Sequence, residues 1–230
     1  MTNPETTYTD ADYWAQRWEK NEISFHKSTI HPFLEKHLDK LTNNNESQKQ
    51  IFFPFCGKEL DMAWLASLGH EIVGVEFVET ACEQFFNENN IKYTVYILKN
   101  FKLFTSQNGK IRIYNGDFFN FNLEYENAFE CVWDRGALVA LPADLRVKYA
   151  EHIQTLLSDQ NVRYLLDTYD YDQELYPGPP HSVRMDEVKK LYGLKYKIEV
   201  IESQIHNRPF NERLKESNNL YEKLYLVSNI

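Results

Sequence analysis

Ile51-Phe52-Phe53-Pro54-Phe55-Cys56-Gly57-Lys58, answered further on by Gly69-His70-Glu71-Ile72-Val73-Gly74-Val75-Glu76, is the stretch that decides the fold. Ile51-Phe52-Phe53 is short and wholly apolar, as a strand covered on both faces must be. Gly57 allows a tight turn, and Glu59 to Leu68 reads as a helix stopped by Gly69 at its C′ position. Glu71 to Glu76 is the next strand. Strand, helix and strand at this spacing make one crossover of a parallel sheet.

The alternation continues downstream. Thr80 to Asn89 is a helix. Lys92 to Tyr114 breaks the pattern with two short runs, Phe101 to Phe104 and Ile111 to Tyr114, around Ser106-Gln107-Asn108-Gly109, which predicts a hairpin. Phe129 to Trp133 is a strand, Ala143 to Leu157 a helix, Arg163 to Thr168 a strand and Asp186 to Tyr192 a short helix. Two strands close the chain, Lys195 to Ile201 and Tyr221 to Val227, joined by a loop through Asn207-Arg208-Pro209. A pair joined that way is antiparallel. The fold class is therefore α/β, doubly wound and mostly parallel, with a C-terminal hairpin. Upstream, Asp10 or Asp12 can cap a helix in which Trp14 and Trp18 share a face, and Pro32 to Leu41 reads as a second helix.

Composition narrows the function. The 230 residues are 43% hydrophobic and 26% charged, with a net charge of −9. An acidic surface repels phosphate backbones and anionic lipids, so neither nucleic acid nor a membrane surface is the expected partner. No apolar run is long enough to span a bilayer. Met1 to Asp10 lacks the basic and apolar regions of a secretory signal. Cys56, Cys82 and Cys131 are odd in number and show no metal-ligand spacing. A reduced, cytoplasmic protein without a metal is expected. Against an otherwise ordinary composition the aromatic content, 15 Tyr, 15 Phe and 4 Trp, stands out; much of it fills buried strands such as Ile51-Phe52-Phe53.

In doubly wound sheets ligands bind at the carboxyl ends of the strands, so four strand ends carry the chemistry. Gly57 either lets the backbone approach a ligand or only turns the chain; it is not the G-x-G-x-x-G of a pyrophosphate site. Glu76, 19 positions later, is placed to accept both hydroxyls of a ribose. Asp117 can accept the exocyclic amine of an adenine while Phe118 packs on its face, although a turn aspartate reads equally well. Together they describe a nucleoside pocket without a phosphate site. In Trp133-Asp134-Arg135-Gly136-Ala137-Leu138, Arg135 offers a planar fork to an anion, or else pairs with an acid such as Asp134. The Asn/Asp-Pro-Pro-aromatic run of nucleic-acid and protein-glutamine methyltransferases is absent here.

These strings resemble the thiopurine S-methyltransferase family of class I S-adenosylmethionine-dependent methyltransferases. The carriers are Trp14-x-x-x-Trp18 with Phe25-His26, the two stretches quoted at the outset, Trp133 to Leu138, Gly178-Pro179-Pro180, and Glu222-Lys223-Leu224-Tyr225-Leu226. The resemblance implies one domain over residues 1–230, a seven-stranded sheet whose last strand is antiparallel, and a helical arm, 1–45, folding over the cofactor. It places Trp14, Trp18, Phe25, Phe55, Gly57, Glu76, Asp117, Phe118 and Arg135 around S-adenosylmethionine. It turns Phe25, Arg135 and Arg213 toward the acceptor and makes Arg135 and Arg213 the residues that orient it. The implied reaction moves the methyl group of S-adenosylmethionine to a small thiol, or to a selenium or tellurium oxyanion, and leaves S-adenosylhomocysteine; the implied protein is a monomer. Phe55 stands where the family usually has Leu, Asp117 where animal members have a small or hydroxyl residue, and Leu214 where their E-R-H-K string has His. A nicotinamide-dependent oxidoreductase lacks its glycine fingerprint here; a protein that holds S-adenosylmethionine without turnover is the reading from outside enzymology.

Overall fold

The computed structural model describes residues 11–44 and 47–230. Asp10 and the side chain of Asp12, the expected caps of the first helix, lie outside the described residues. In chain order the elements begin with helices α1 (Ala11–Glu19), α2 (Pro32–Lys36) and α3 (Leu38–Thr42), then β1 (Gln50–Pro54), α4 (Leu60–Ser67), β2 (Glu71–Glu76) and α5 (Glu79–Glu88). Three strands follow, β3 (Tyr93–Ile97), β4 (Lys102–Ser106) and β5 (Ile111–Asn115), and then β6 (Cys131–Arg135), α6 (Ala137–Ala140), α7 (Ala143–Leu156) and β7 (Arg163–Asp170). The chain ends with α8 (Met185–Tyr192), β8 (Tyr196–Ile205), α9 (Glu212–Ser217) and β9 (Tyr221–Asn229).

All nine strands among the described residues join one sheet in the order β3-β4-β5-β2-β1-β6-β7-β9-β8. The five central strands from β5 to β7 are parallel neighbours. The order reverses between β1 and β6, so the carboxyl ends of β1, β2 and β6 converge on the crevice where such sheets bind ligands. β9 inserts between β7 and β8, antiparallel to both. Burial explains this placement: Leu224, Tyr225 and Val227 of β9 are fully covered, whereas β8 is half-exposed along its length and forms the edge.

The expected seven strands are the seven from β5 to β8. The count is nine because the hairpin extends outward. β4 and β5 are the predicted pair, and Tyr93–Ile97 adds a third strand antiparallel to β4. Its apolar residues are exposed rather than buried, Ile97 to 76%, which is why no alternation marked it. Two more differences are local. The predicted helix from Pro32 to Leu41 breaks at His37, whose backbone leaves helical geometry (φ −115°, ψ 24°). The loop before the last strand contains a short helix, α9, capped by Asn211, which accepts from the Leu214 N–H.

Both faces of the sheet are covered, as its wholly apolar central strands require. Ile51 and Phe53 face one layer with Leu34, Met62, Leu65 and Phe85; Phe52 faces the other with Phe129, Tyr149 and Ile153. Phe52 stacks on Phe129 at 4.5 Å. Gly74, at the centre of β2, lies tightly against Cys56 in the loop after β1. A Cβ there would sit 2.7 Å from Cys56 Sγ. Gly74→Ala should therefore cost about 1–3 kcal/mol through overpacking, and Gly74→Ala combined with Cys56→Ala should recover much of it. Urea unfolding of the three variants reads this coupling.

Candidate active site

Glu76 closes β2 and is 7% exposed. Its carboxylate accepts from the Gly57 N–H at 2.8 Å and from the Val78 N–H at 2.7 Å, bolting the loop after β1 to the loop after β2. Burial raises its pKa, and these backbone donors oppose the shift. A carboxylate offers about four lone-pair sites, so it keeps acceptor capacity for a hydroxyl. In the same loop Phe55 and Gly57 both take positive φ, +48° and +51°. For a phenylalanine this is a strained backbone, held by what surrounds it. The Phe55 ring meets Phe118 edge-on at 5.3 Å and Tyr149 at 5.6 Å.

α1 lies across this loop. Trp18 is 6% exposed and packs with Val78 and Ala81, and its ring comes within 3.4 Å of where a Gly57 Cβ would stand. Trp14 and Trp18 meet the ring of Phe25 edge-on at 5.6 and 6.2 Å. The Phe25 carbonyl accepts from Arg135 Nη2 at 2.6 Å, and Arg135 Nη1 donates to Glu59 Oε1 at 3.2 Å. The acid that Arg135 pairs with is thus Glu59 and not Asp134. Burial pushes Glu59 up to about 8, against the pull of the guanidinium.

Asp134 is committed elsewhere. It is fully buried and accepts from the hydroxyls of Tyr149 and Tyr164, each at 2.6 Å, and from the Leu138 N–H. Tyr149 stacks on Phe118 at 5.2 Å, so the strand that presents Arg135 also fixes the aromatic wall behind Phe55. Asp117 is exposed and caps the turn Phe118–Asn120, accepting from the Phe119 N–H at 2.9 Å. The turn-aspartate role is therefore occupied, with Asp117 still beside Phe118 at the end of β5. Arg213 is exposed on α9 and has no hydrogen-bond or ion-pair partner among the described residues, while its neighbour Leu214 is buried. The preceding loop packs Phe210 against Tyr169, Tyr171 and Tyr176 at the carboxyl end of β7, on the same rim of the sheet.

Trp14, Trp18, Phe25, Gly57, Glu76 and Arg135 are thus linked through direct contacts, and Phe55 meets Phe118 in a second set that shares the loop after β1; Asp117 and Arg213 stand outside both. Sequence reasoning missed Glu59, Tyr149 and a buried polar group formed by Lys27, His31, Asp167 and Glu222. Asp167 carried a signal, a carboxylate placed directly after the apolar run Tyr164-Leu165-Leu166 of β7. Glu59 carried none. The thiol of Cys56 is buried and its pKa raised by that burial, so it is no nucleophile. A groove of about 610 Å³ lined by Glu130, Gln154, Ser158 and Asn161 opens at the opposite end of the strands and holds none of these residues.

Solved structures place this fold. The chain superposes on a Burkholderia thailandensis 1,6-didemethyltoxoflavin N1-methyltransferase with S-adenosylhomocysteine bound (TM-score 0.63, 13% identity, 100% of this chain and 94% of that one). It superposes equally on a Synechocystis magnesium protoporphyrin IX methyltransferase with S-adenosylmethionine bound (TM-score 0.63, 12% identity, 99% and 100% covered). The fold is that of class I S-adenosylmethionine-dependent methyltransferases. Sequence narrows the class: a family profile described as Thiopurine S-methyltransferase (TPMT) matches residues 9–229. A probable thiopurine S-methyltransferase of Danio rerio is 40% identical over 222 residues, 95% of this chain and 94% of that one. A thiopurine S-methyltransferase of Pseudomonas fluorescens (strain Pf0-1) is 37% identical over 193 residues, 84% and 86% covered. The chain belongs to the thiopurine S-methyltransferase family, whose methyl donor is S-adenosylmethionine. Among the described residues no helix is long and apolar enough to cross a membrane.

The buried groups beside the site make stability pH-dependent. Burial pushes His31 down from 6.5 to about 4, helped by Lys27 and Arg135 and opposed by Glu222. Between those values the unfolded chain binds a proton that the folded chain refuses. Stability therefore falls as pH drops through this window, by up to about 3 kcal/mol. Glu59 acts in the opposite sense, since the folded state holds its proton up to about 8. Because Glu59 opposes His31 over most of this window, the His31 contribution is read as a difference: in urea unfolding the stability of the wild type relative to His31→Asn should fall as pH drops from 6.5 to about 4.

Proposed function

We propose that this protein transfers the methyl group of S-adenosylmethionine to the sulfur of a small aromatic or heterocyclic thiol, giving S-adenosylhomocysteine. The observation that carries this reading is the Glu76 carboxylate, buried at a strand end, held by the Gly57 and Val78 N–H groups and still able to accept a hydroxyl. Such a group suits a ribose diol, and the single-glycine loop beside it suits a nucleoside that carries no pyrophosphate. Family membership supports the S-methylation half of the proposal.

The residues would divide the work as follows. Glu76 orients the ribose, Phe55 and Phe118 wall the adenine, and Asp117 stands at its amine edge. Trp14, Trp18 and Phe25 cover the crevice and keep water out. S-adenosylmethionine brings a methyl group already activated by its sulfonium. The acceptor is the thiolate, the nucleophilic form of a thiol. No dedicated base is then needed, because heteroaryl thiols ionise near neutral pH. Arg135 uses two of its five donors on Phe25 and Glu59, which leaves others for the acceptor. Arg213, exposed on α9 and unpaired among the described residues, supplies a second cation from the loop that joins the last two strands. Holding sulfur and methyl in line at ~3–3.5 Å can contribute roughly 7–11 kcal/mol through effective molarity.

Methyl-labelled S-adenosylmethionine incubated with 6-mercaptopurine, simple thiols, selenite and tellurite tests the acceptor. Label in an S-methylated heterocyclic thiol is expected; label only in selenium or tellurium products, or a thermal shift with NAD and none with S-adenosylhomocysteine, contradicts the proposal. In the same assay Arg213→Ala should lower kcat/KM about 10- to 100-fold, the loss expected for a charged hydrogen bond. Affinity for S-adenosylhomocysteine should change little. Unchanged turnover would remove that role.

A further inference from the structure

Beside Arg135, on the same face of the sheet, lies a buried polar cluster that the reaction does not use. His31, Asp167 and Glu222 bring their ligand-capable atoms within 4.8 Å of one another. His31 Nε2 stands 3.6 Å from Asp167 Oδ2 and 3.5 Å from Glu222 Oε1, too far for hydrogen bonds. Three such residues at these separations are what a divalent metal would use. Here, however, an ammonium already stands among them. Lys27 Nζ lies 3.2 Å from Glu222 Oε1 and 2.8 Å from His31 Nε2. The side chains of His31, Asp167 and Glu222 are 2–4% exposed, and that of Lys27 is 29% exposed, so the lysine enters from the surface.

Charge makes the lysine more than a filler. Two buried carboxyl groups lie in the pocket with one ammonium, and Asp167 Oδ1 is buried without a hydrogen-bond partner among the described residues. The other cations nearby are engaged: Arg135, the register neighbour of Asp167, holds Glu59 and Phe25, and His206 lies 3.5 Å from the far oxygen of Glu222. Burial and the neighbouring Glu222 carboxylate push the pKa of Asp167 well up, so the negative charge of the pocket rests on Glu222, and removing Lys27 would strand it.

Position gives the lysine its consequence. Phe25 and Lys27 are two residues apart, and each is tied to a different strand: Phe25 O to Arg135 of β6, and Lys27 Nζ to Glu222 of β9. The ring of Phe25 rests on Trp14 and Trp18, and Trp18 lies over Gly57. We propose that Lys27 is a positioning residue whose ammonium is the resident cation of the His31–Asp167–Glu222 pocket, clasping the 11–27 arm shut over the cofactor. The inference rests on the reading that this arm covers S-adenosylmethionine. If the clasp sets the fraction of closed arm, apparent cofactor affinity falls by that fraction when it is broken.

Lys27→Met, Lys27→Arg, Glu222→Gln and the double variant Lys27→Met/Glu222→Gln test it. Lys27→Met should weaken S-adenosylhomocysteine binding about tenfold, raise the KM for S-adenosylmethionine more than it lowers kcat, and speed tryptic cleavage after Arg17 and Lys20. Lys27→Arg should keep most of the affinity, and the double variant should be no weaker than either single one. The double variant also removes the stranded charge and so serves as the measurement if Lys27→Met does not fold. Wild-type affinity and cleavage in Lys27→Met overturn the clasp, as do additive losses in the double variant or an equal loss in Lys27→Arg. Stoichiometric Co²⁺ binding by the wild type, seen as d–d absorption, would show that a metal and not Lys27 is resident. S-adenosylhomocysteine binding, tryptic cleavage and Co²⁺ absorption need no acceptor, so failure of the thiol reading and failure of the clasp are separate results, and the cleavage rates report on the clasp even without cofactor binding.

Discussion

A guanidinium buried at the end of a strand must be matched by acceptors, and the partners of Arg135 knit the site together. One is Glu59, in the loop that β1 feeds; the other is the carbonyl of Phe25, in the segment that follows α1. Neither partner belongs to β6. Satisfying Arg135 therefore draws the loop and the arm onto the sheet from opposite directions. Asp134, next to it and pointing to the other face, holds Tyr149, which packs behind Phe55 and Phe118, and Tyr164 of the neighbouring strand. Consecutive residues of one strand thus organise both sides of the crevice. The cost of leaving either charge unpaired in a covered sheet is what keeps the arrangement in one form.

Around that frame the strands carry packing and the strand ends carry polarity. Ile51, Phe52, Val73 and Val132 are fully buried and give the sheet its stability. Glu76, Arg135 and Asp167 lie at or near the carboxyl ends of β2, β6 and β7, where the chain can meet a ligand. Glu76 has a double role: it binds two loops together through backbone N–H groups and presents the remaining capacity of the same carboxylate. The strained backbone of Phe55 belongs to this loop as well. It places an aromatic ring against Phe118 and Tyr149, where a β-region residue would turn its side chain elsewhere.

Much of the fold was legible because its signals are local and periodic. The apolar strands, the stop at Gly69, the hairpin signal at Asn108-Gly109 and the two closing strands appear in the structure within a few residues of their expected places. Tyr93–Ile97 was not legible, since an exposed edge strand has no burial pattern to display. In the site, Glu76 and Arg135 could be read because they end apolar runs. The aromatic wall could be read only as composition until the contacts of Phe118 and Tyr149 were known. Glu59, Lys27 and His31 were invisible for another reason. They lie in loops or at helix starts, and what defines them is a partner 76, 195 or 136 positions away in the chain. Spacing arguments do not reach that far.

The central claim is that the arm, the loops after β1 and β2 and the end of β6 act as one cofactor-holding unit. Amide hydrogen exchange with and without S-adenosylhomocysteine tests it most directly. The account predicts that the product slows exchange together in three regions: residues 13–27, Cys56 to Val78, and Arg135 to Leu138. Protection confined to the groove at the opposite end of the strands, or no slowing of the arm when the product is bound, would contradict it.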